Sequence, residues 1–422
     1  MVCRHFWPEH TRVNDLCDKL AAVGYKVDVL CGQPSAENGD FMKGYGSFRV
    51  RRETHDKINI YRTFDVKKGT DSNISIFLNY ITFPIASLFT VRKLKQNPYS
   101  AILVYQLSPV MMCVPAYRIG KDRNIPVYVY VAQLWPQHVC GEMDVQSHLF
   151  RKFLMRLSMH YYRKASKLIV TSPAMKKYFA DRLGMMDEQL PIVTMAPEQA
   201  YLTGEPDDSL REKLAGTFTL LIPGDPKGQL SVKTVIEVAK RIRESNVRNI
   251  RFMVTGFEER IRKLQKAVNE EGLADDFYFE GRIPRDEIGK YLQVADILLA
   301  IVKPEGENEY TVPLEMIDLI AAGKPVVASL SEYTREMIRE AGCGYTTEPE
   351  DAAGLYQAIM DIYRMPPEKR KEMGEAAAAW QQAYYDRDAN AEKMAWIIAG
   401  EAIPGEEKKE QGTSSVRKLW DI

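Results

Sequence analysis

The 422-residue sequence has no net charge, because 57 Lys and Arg balance 57 Asp and Glu. A nucleic-acid binder usually shows a basic excess, so that class is set aside. Cysteine is scarce. None of the six (Cys3, Cys17, Cys31, Cys113, Cys140, Cys343) forms a CxxC pair. This excludes a disulfide framework and the common zinc sites, and it fits a reducing cytosol. The six histidines all fall in the first half and show no HExxH or similar spacing, so no metal site is expected. No apolar run is long enough to span a membrane. The longest, 74–91, contains Asn79, Tyr80, Thr82, Pro84 and Ser87, and it falls just short of the ~20 residues a crossing helix needs. A buried or interfacial helix is expected there. Arg4 and His5 interrupt the apolar start that a signal peptide would require.

What the sequence does have is alternation. Hydrophobic residues make up 45% and charged residues 27%, a soluble globular mix, and the length suits two domains. Short β-rich runs at 26–31, 58–63, 101–105, 127–131 and 168–171 alternate with helical patterns at 13–23, 74–94, 111–122, 149–165 and 174–183. A second series follows: strands at 219–222, 251–255, 277–280, 297–301 and 325–328, with helices at 232–245, 261–271, 285–295, 312–322 and 335–341. This predicts parallel α/β layers, built twice. Residues 365–398 read as further helices, and the charged tail from Pro404 reads as disordered. Only Met1-Val2-Cys3 precede the first loop, so the first strand is either a stub or starts upstream.

Several loops should reach the carboxyl edges of these sheets, where an open α/β sheet binds ligands. The first, 5–15, carries Pro8, Glu9, Arg12 and Asn14. It reads equally as a binding loop or as a helix start capped by Thr11 or Asn14. Gln106-Leu107-Ser108-Pro109 and Gln133-Leu134-Trp135-Pro136-Gln137-His138 each follow a strand. Trp135 and His138 suit a sugar ring and its hydroxyls, or are a buried Trp and a surface His. In the second series, Pro223-Gly224-Asp225-Pro226-Lys227-Gly228 joins a strand to a helix, with Lys233 one turn on. Small residues there admit a phosphate to backbone N–H groups, although a plain βα turn is the commoner reading. The run from Glu305 to Pro313, with Tyr310 and Thr311, leads into another helix. It is read either as a diphosphate cradle or as acids answering a helix dipole. The basic, aromatic stretches 151–156 and 160–164, and the apolar helix around Phe77, Phe83 and Phe89, suit an anionic membrane surface or a core helix with a solvated face.

In order, the chain shows Phe6-Trp7-Pro8-Glu9 with Arg12-Val13-Asn14-Asp15-Leu16, Gly24-Tyr25-Lys26-Val27, and Gly32-Gln33-Pro34. Next come Leu78-Asn79-Tyr80-Ile81-Thr82-Phe83, Tyr105-Gln106-Leu107-Ser108-Pro109, and Leu134-Trp135-Pro136. Thr311-Val312-Pro313, Ala321-Ala322-Gly323-Lys324-Pro325 and Glu332 close the series. This series resembles bacterial family 4 glycosyltransferases of the WbuB-like kind, which assemble surface polysaccharides. The resemblance implies a GT-B fold: two Rossmann-like domains whose parallel sheets face across a cleft. Residues 1–195 would bind the acceptor and 218–380 the nucleotide sugar. Residues 196–217 would link them, helix 381–400 would return to the first domain, and 401–422 would be a tail.

The resemblance further implies a cytoplasmic, metal-independent and cofactor-free enzyme that retains anomeric configuration. Its donor would be a nucleotide sugar, UDP-linked, and its acceptor a saccharide or lipid-linked saccharide at the inner membrane face. In that reading Lys227, Lys233 and Arg282 neutralise the diphosphate, and Gly224 and Gly256 let the chain approach the nucleotide. Tyr310, Thr311 and Glu315 lie at the sugar and phosphate, and Trp135 lies at the acceptor with Pro8, Glu9, Arg12 and Asn14. His138, Gln133 and Lys227 take the catalytic roles. The leaving diphosphate gains charge in the transition state, so cations and aimed N–H dipoles should supply most of the rate. The chain departs from the family at Gln133 and Gln137, which lose a carboxylate, at Asp225, which gains one, and at Glu315, which puts an anion in place of a cation. The alternative reading is therefore a catalytically impaired GT-B protein acting as a binding or partner subunit.

Overall fold

The computed structural model describes residues 1–36, 39–49, 51–67, 73–142, 145–202, 204–205, 207–224, 230–284, 287–303, 314–330 and 332–400. The chain divides into two compact units. One comprises Met1–Met195 and, from Arg387, the helix Arg387–Ala399; the other is Ala196–Asp386.

The first unit is built on β1 (Asp28–Cys31), β2 (Arg52–His55), β3 (Ile58–Arg62), β4 (Ile102–Gln106), β5 (Val127–Val131) and β6 (Lys167–Ile169). Strands β4 and β5 are buried at every position, as a parallel sheet covered on both faces requires. A stub at Val2 occupies the first strand's position. Val2 bridges Leu30 on one side and Val104 on the other, both in parallel. Its N–H donates to the Leu103 carbonyl at 2.8 Å, and its own carbonyl accepts from the Tyr105 N–H at 2.9 Å. With the stub counted, the order is β2-β3-β1-stub-β4-β5-β6. Numbered along the chain, the parallel strands run 3-2-1-4-5-6, and the order reverses between the stub and β4.

The second unit holds β7 (Phe218–Pro223), β8 (Ile250–Thr255), β9 (Phe277–Gly281), β10 (Ile297–Ile301), β11 (Val326–Ser329) and β12 (Gly344–Thr347). All pair in parallel, in the order β12-β11-β10-β7-β8-β9. This is again 3-2-1-4-5-6, with the switch between β7 and β10. Its core joins Leu220, Ile222, Phe252 and Val254 of the sheet to Val235, Val238, Leu264, Leu355 and Ile359 of the flanking helices. Both units thus have the doubly wound Rossmann order, in which ligands bind outside the carboxyl ends at the switch point.

Two strands and several helices escape the sequence reading. Arg52–His55 is an antiparallel edge with alternating exposure and no apolar run, and Gly344–Thr347 is a four-residue polar edge. Helix Ala352–Arg364 starts at Asp351, whose carboxylate accepts the Gly354 N–H. The expected helix 111–122 divides into a 3-10 turn, Val110–Cys113, and an α-helix, Val114–Arg123, which Pro115 helps to start. The segment 196–217 contains two helices, Gln199–Leu202 and Asp208–Lys213. Among the described residues, no helix is long and apolar enough to cross a membrane. The tail 401–422 lies outside the described residues.

Candidate active-site residues

In the first unit, the loops after the stub, β4 and β5 converge at the carboxyl edge. Each contains a cis prolyl bond: Trp7-Pro8, Ser108-Pro109 and Trp135-Pro136. The 5–15 loop is braced from within. Asn14 Oδ1 accepts from the Trp7 N–H at 3.2 Å and the Thr11 hydroxyl at 2.8 Å, and Asn14 Nδ2 donates to the Glu9 carbonyl at 2.7 Å. Thr11 is the N-cap of helix Arg12–Ala22, but its side chain makes no cap bond because its hydroxyl goes to Asn14. Glu9 accepts the Ser35 N–H on one carboxylate oxygen, and His5 Nδ1 lies 2.7 Å from the other. Pro8 heads this turn. Arg12 is half-buried and lies close enough to influence the Tyr130 hydroxyl near the end of β5.

Beneath the loop is a buried ionic layer that sequence reasoning missed. Arg4 pairs with Asp65 at 3.3 Å, each 4% exposed. Burial raises the Asp65 pKa, and the Arg4 guanidinium pulls it part of the way back. Arg62 is bonded to Glu53, to the Trp7 carbonyl and to the Gly32 carbonyl at 3.0 Å. Gly32 has no room for a side chain, since a Cβ there would lie 2.4 Å from Asp65 Oδ2. The only sequence signal was charge placed beside a strand end.

The β4 and β5 loops share Tyr162 as a tie. Its hydroxyl donates to Gln106 Oε1 at 3.0 Å and accepts the Trp135 N–H at 3.3 Å. Gln133 and His138 are half-buried at this edge; the Gln133 N–H reaches the Gln106 carbonyl at 3.2 Å, and the His138 N–H reaches that of Leu134 at 3.0 Å. Trp135 corrects the sequence reading. Its ring is 2% exposed and belongs to the core, so it offers no face for a sugar to stack on.

Four buried side-chain atoms in these loops have no hydrogen-bond partner among the described residues: Arg4 Nη1, Ser108 Oγ, Trp135 Nε1 and Gln137 Oε1. Buried polar atoms are almost always paired, so each of these exceptions is a point that a bound water or ligand could satisfy.

In the second unit, β7, β8 and β9 end in Gly224, Gly256 and Gly281, all at positive φ (81°, 133° and 67°). A Cβ on Gly224 would lie 3.7 Å from Gly256 Cα, and the Gly256 N–H donates to the Gly281 carbonyl at 2.7 Å. Arg282 is exposed, and its guanidinium lies 5.0 Å above the Phe257 ring. Lys233 is exposed in the first turn of helix Val232–Glu244. At the switch point Leu230 bridges Val302, and the Ser231 N–H donates to the Ile301 carbonyl at 3.1 Å. Lys227, Tyr310 and Thr311 lie outside the described residues, as does the Glu315 side chain, although the backbone of Glu315 belongs to helix Leu314–Ala321.

Comparison with known proteins bears on both units. Residues 10–194 match the glycosyl transferase 4-like domain, and residues 219–380 match the glycosyl transferases group 1. This chain thus carries a glycosyl transferase 4-like domain followed by a glycosyl transferases group 1 domain. It is 23% identical over 177 residues to a GDP-mannose-dependent α-(1-6)-phosphatidylinositol monomannoside mannosyltransferase of Mycobacterium tuberculosis, covering 42% of this chain and 45% of that protein. It is 28% identical over 113 residues to the amylovoran biosynthesis glycosyltransferase AmsK of Erwinia amylovora, covering 26% and 28%. The chain thus aligns with less than half the length of these curated relatives. Among solved structures it resembles HepE of Anabaena in complex with UDP, with a TM-score of 0.66 and 14% identity, over 94% of this chain and 99% of that one. The fold of this chain is GT-B.

Proposed function

We propose that this glycosyltransferase moves a sugar from a nucleotide diphosphate sugar, UDP-linked, to a saccharide or lipid-linked saccharide in surface-polysaccharide assembly of the WbuB-like kind. The observation that carries the reading is the triple glycine edge of the second unit. Gly224, Gly256 and Gly281 end three adjacent parallel strands beside the switch point. Without side chains there, a diphosphate can approach backbone N–H groups and the N-terminus of helix Val232–Glu244. Lys227, Lys233 and Arg282 supply the cations that the departing diphosphate needs, without a metal. Tyr310, Thr311 and Glu315 belong with the donor in this reading.

The acceptor goes to the carboxyl edge of the first unit, where Arg4, Ser108, Trp135 and Gln137 present unpartnered polar atoms. Pro8, Glu9, Arg12 and Asn14 shape its wall, and Gln133 and His138 take the catalytic roles in this reading. Trp135 keeps a part through its indole N–H instead of its face. Retention follows if the leaving diphosphate and the incoming hydroxyl meet on one side of the sugar. HepE is solved with UDP, whereas the mycobacterial relative is named as GDP-mannose-dependent, so the donor test must include both bases.

Calorimetry with UDP, GDP and their sugars, followed by transfer assays with the best binder, tests the reading. Micromolar UDP binding and donor turnover are expected. Absence of binding to any nucleotide would instead favour a catalytically impaired partner subunit.

A further inference from the structure

Although the chain is neutral overall, its charge is locally segregated. Between Val145 and Lys167 there are six Lys and Arg and no Asp or Glu. Most of this stretch is helix His148–Tyr162, which starts from a Ser147 cap on the Phe150 N–H. One face, Leu154, Ser158 and Tyr162, is buried in the first unit. The opposite face carries Leu149, Phe153, Arg156 and His160, spaced four, three and four residues apart and therefore aligned. Its two ends differ in chemistry. At the amino end Leu149 is 79%, Phe150 40% and Phe153 57% exposed, and the two phenyl rings stack at 6.4 Å. At the carboxyl end a groove of about 560 Å³ is lined by Met155, Arg156, Met159, His160, Arg163 and Lys164. A neighbouring helix, Asn73–Leu94, packs on the same 3-10 turn, Val110–Cys113. It exposes Ile85, Leu88 and Phe89 and ends in exposed Arg92 and Lys93.

We infer that helix His148–Tyr162 is a docking surface for an anionic lipid bilayer. Leu149, Phe150 and Phe153 enter the interface, and Arg156, Arg163 and Lys164 hold headgroup phosphates in the groove. This deepens the lipid-linked-acceptor part of the proposed function and rests on that reading for its purpose. The charge and apolar pattern commits the surface to lipid. A nucleic acid would not need three exposed apolar side chains beside the cations, and a protein partner would not usually require a wholly acid-free face. An interfacial helix needs both an apolar stripe and basic flanks. Each cation near an anionic leaflet is worth roughly fivefold in binding.

The test is flotation of the full chain with phosphatidylcholine vesicles and with vesicles containing phosphatidylglycerol, at low and high salt. Wild type should float with the anionic vesicles and be released by salt. Arg156→Ala/Arg163→Ala/Lys164→Ala should bind about a hundredfold more weakly. Phe150→Ser/Phe153→Ser should also lose vesicle binding, while both variants keep the wild-type melting midpoint and transfer to a water-soluble acceptor. The inference is overturned if wild type stays unbound with both vesicle types, or if either variant floats like wild type. It is also overturned if heparin binds the phenylalanine variant and wild type equally while neither binds vesicles. Wild type that transfers sugar but binds neither vesicle type removes this surface and leaves the transferase. Vesicle binding without any nucleotide-sugar transfer does the reverse.

Discussion

Asn14 uses both ends of its amide to hold the loop that precedes it, accepting from Trp7 and Thr11 and donating to Glu9. Asn14→Ala should therefore destabilise the first unit by about 1–3 kcal/mol in urea unfolding, whereas Asn14→Asp, which keeps the acceptor, should cost less. Arg4 makes a sharper prediction. Removing one partner of a buried pair leaves an uncompensated charge, so Arg4→Met should cost about 3–5 kcal/mol at neutral pH. Burial already sets the native pKa of Asp65 above its unfolded value, and loss of Arg4 raises it further. The native state then binds its proton more tightly than the unfolded chain does. Stability rises as pH falls from the native pKa towards the ordinary carboxylate value. The Arg4→Met penalty should accordingly shrink as pH falls from neutrality towards the ordinary carboxylate value, and a pH-independent penalty would refute the pairing account. In the second unit, Lys227→Ala should lower UDP affinity or turnover about tenfold to a hundredfold, the range for a lost charged hydrogen bond; unchanged kinetics would remove Lys227 from the site. At this scale the motif residues were legible in the sequence, but their partners were not. Trp135 looked like a platform and is core, because ring exposure depends on how the loop folds back.

Elements were read best where burial is complete. The sequence reading of Val127–Val131 and Ile297–Ile301 agrees with the structure to the residue, since a strand covered on both faces must be apolar throughout. The missed strands are edges, where half the side chains face water and composition loses its signature. Gly344 shows what an edge strand demands instead. It pairs in register with Val326, and a Cβ there would stand 1.7 Å from the Val326 carbonyl oxygen. Gly344→Ala should displace β12 and lower stability by about 1–3 kcal/mol or more, with loss of amide protection along Val326–Ser329. Helix Asn73–Leu94 accommodates Pro84 internally, with the Ser87 hydroxyl donating to the Pro84 carbonyl at 2.8 Å. Its apolar residues divide between a buried face, Phe83, Val91 and Leu94, and an exposed one, Ile85, Leu88 and Phe89. The sequence showed the run, but only packing showed which side was left uncovered.

Across the whole molecule, the chain completes its first unit only after building its second. Helix Arg387–Ala399 lies against helix Arg12–Ala22, where Lys19 meets Asp388 at 2.5 Å, Arg387 meets Asp15 at 3.2 Å and the Tyr25 hydroxyl donates to the Ala395 carbonyl at 3.1 Å. Ending the chain at Tyr385 should therefore increase hydrogen exchange in Arg12–Ala22 more than in any strand of the second unit. A nucleotide should act on the other unit: at a hundred times its Kd, UDP should add about 2.7 kcal/mol to the unit that binds it, with protection at the ends of β7, β8 and β9. Protection confined to the first unit would reverse the donor assignment. The sequence by itself determined the class of fold, because strand and helix periodicity are local and recur twice in the same order. It also determined which loops carry glycine, proline and charge. Only the tertiary structure decided that Val2 sits between Leu30 and Val104 in the sheet, and that Arg4 and Asp65 form a buried layer. It alone decided that the Trp135 ring is lost to the core while polar atoms beside it stay unpartnered. The physical reason is that these outcomes depend on which distant segments exclude water from one another, and no local pattern of residues records that.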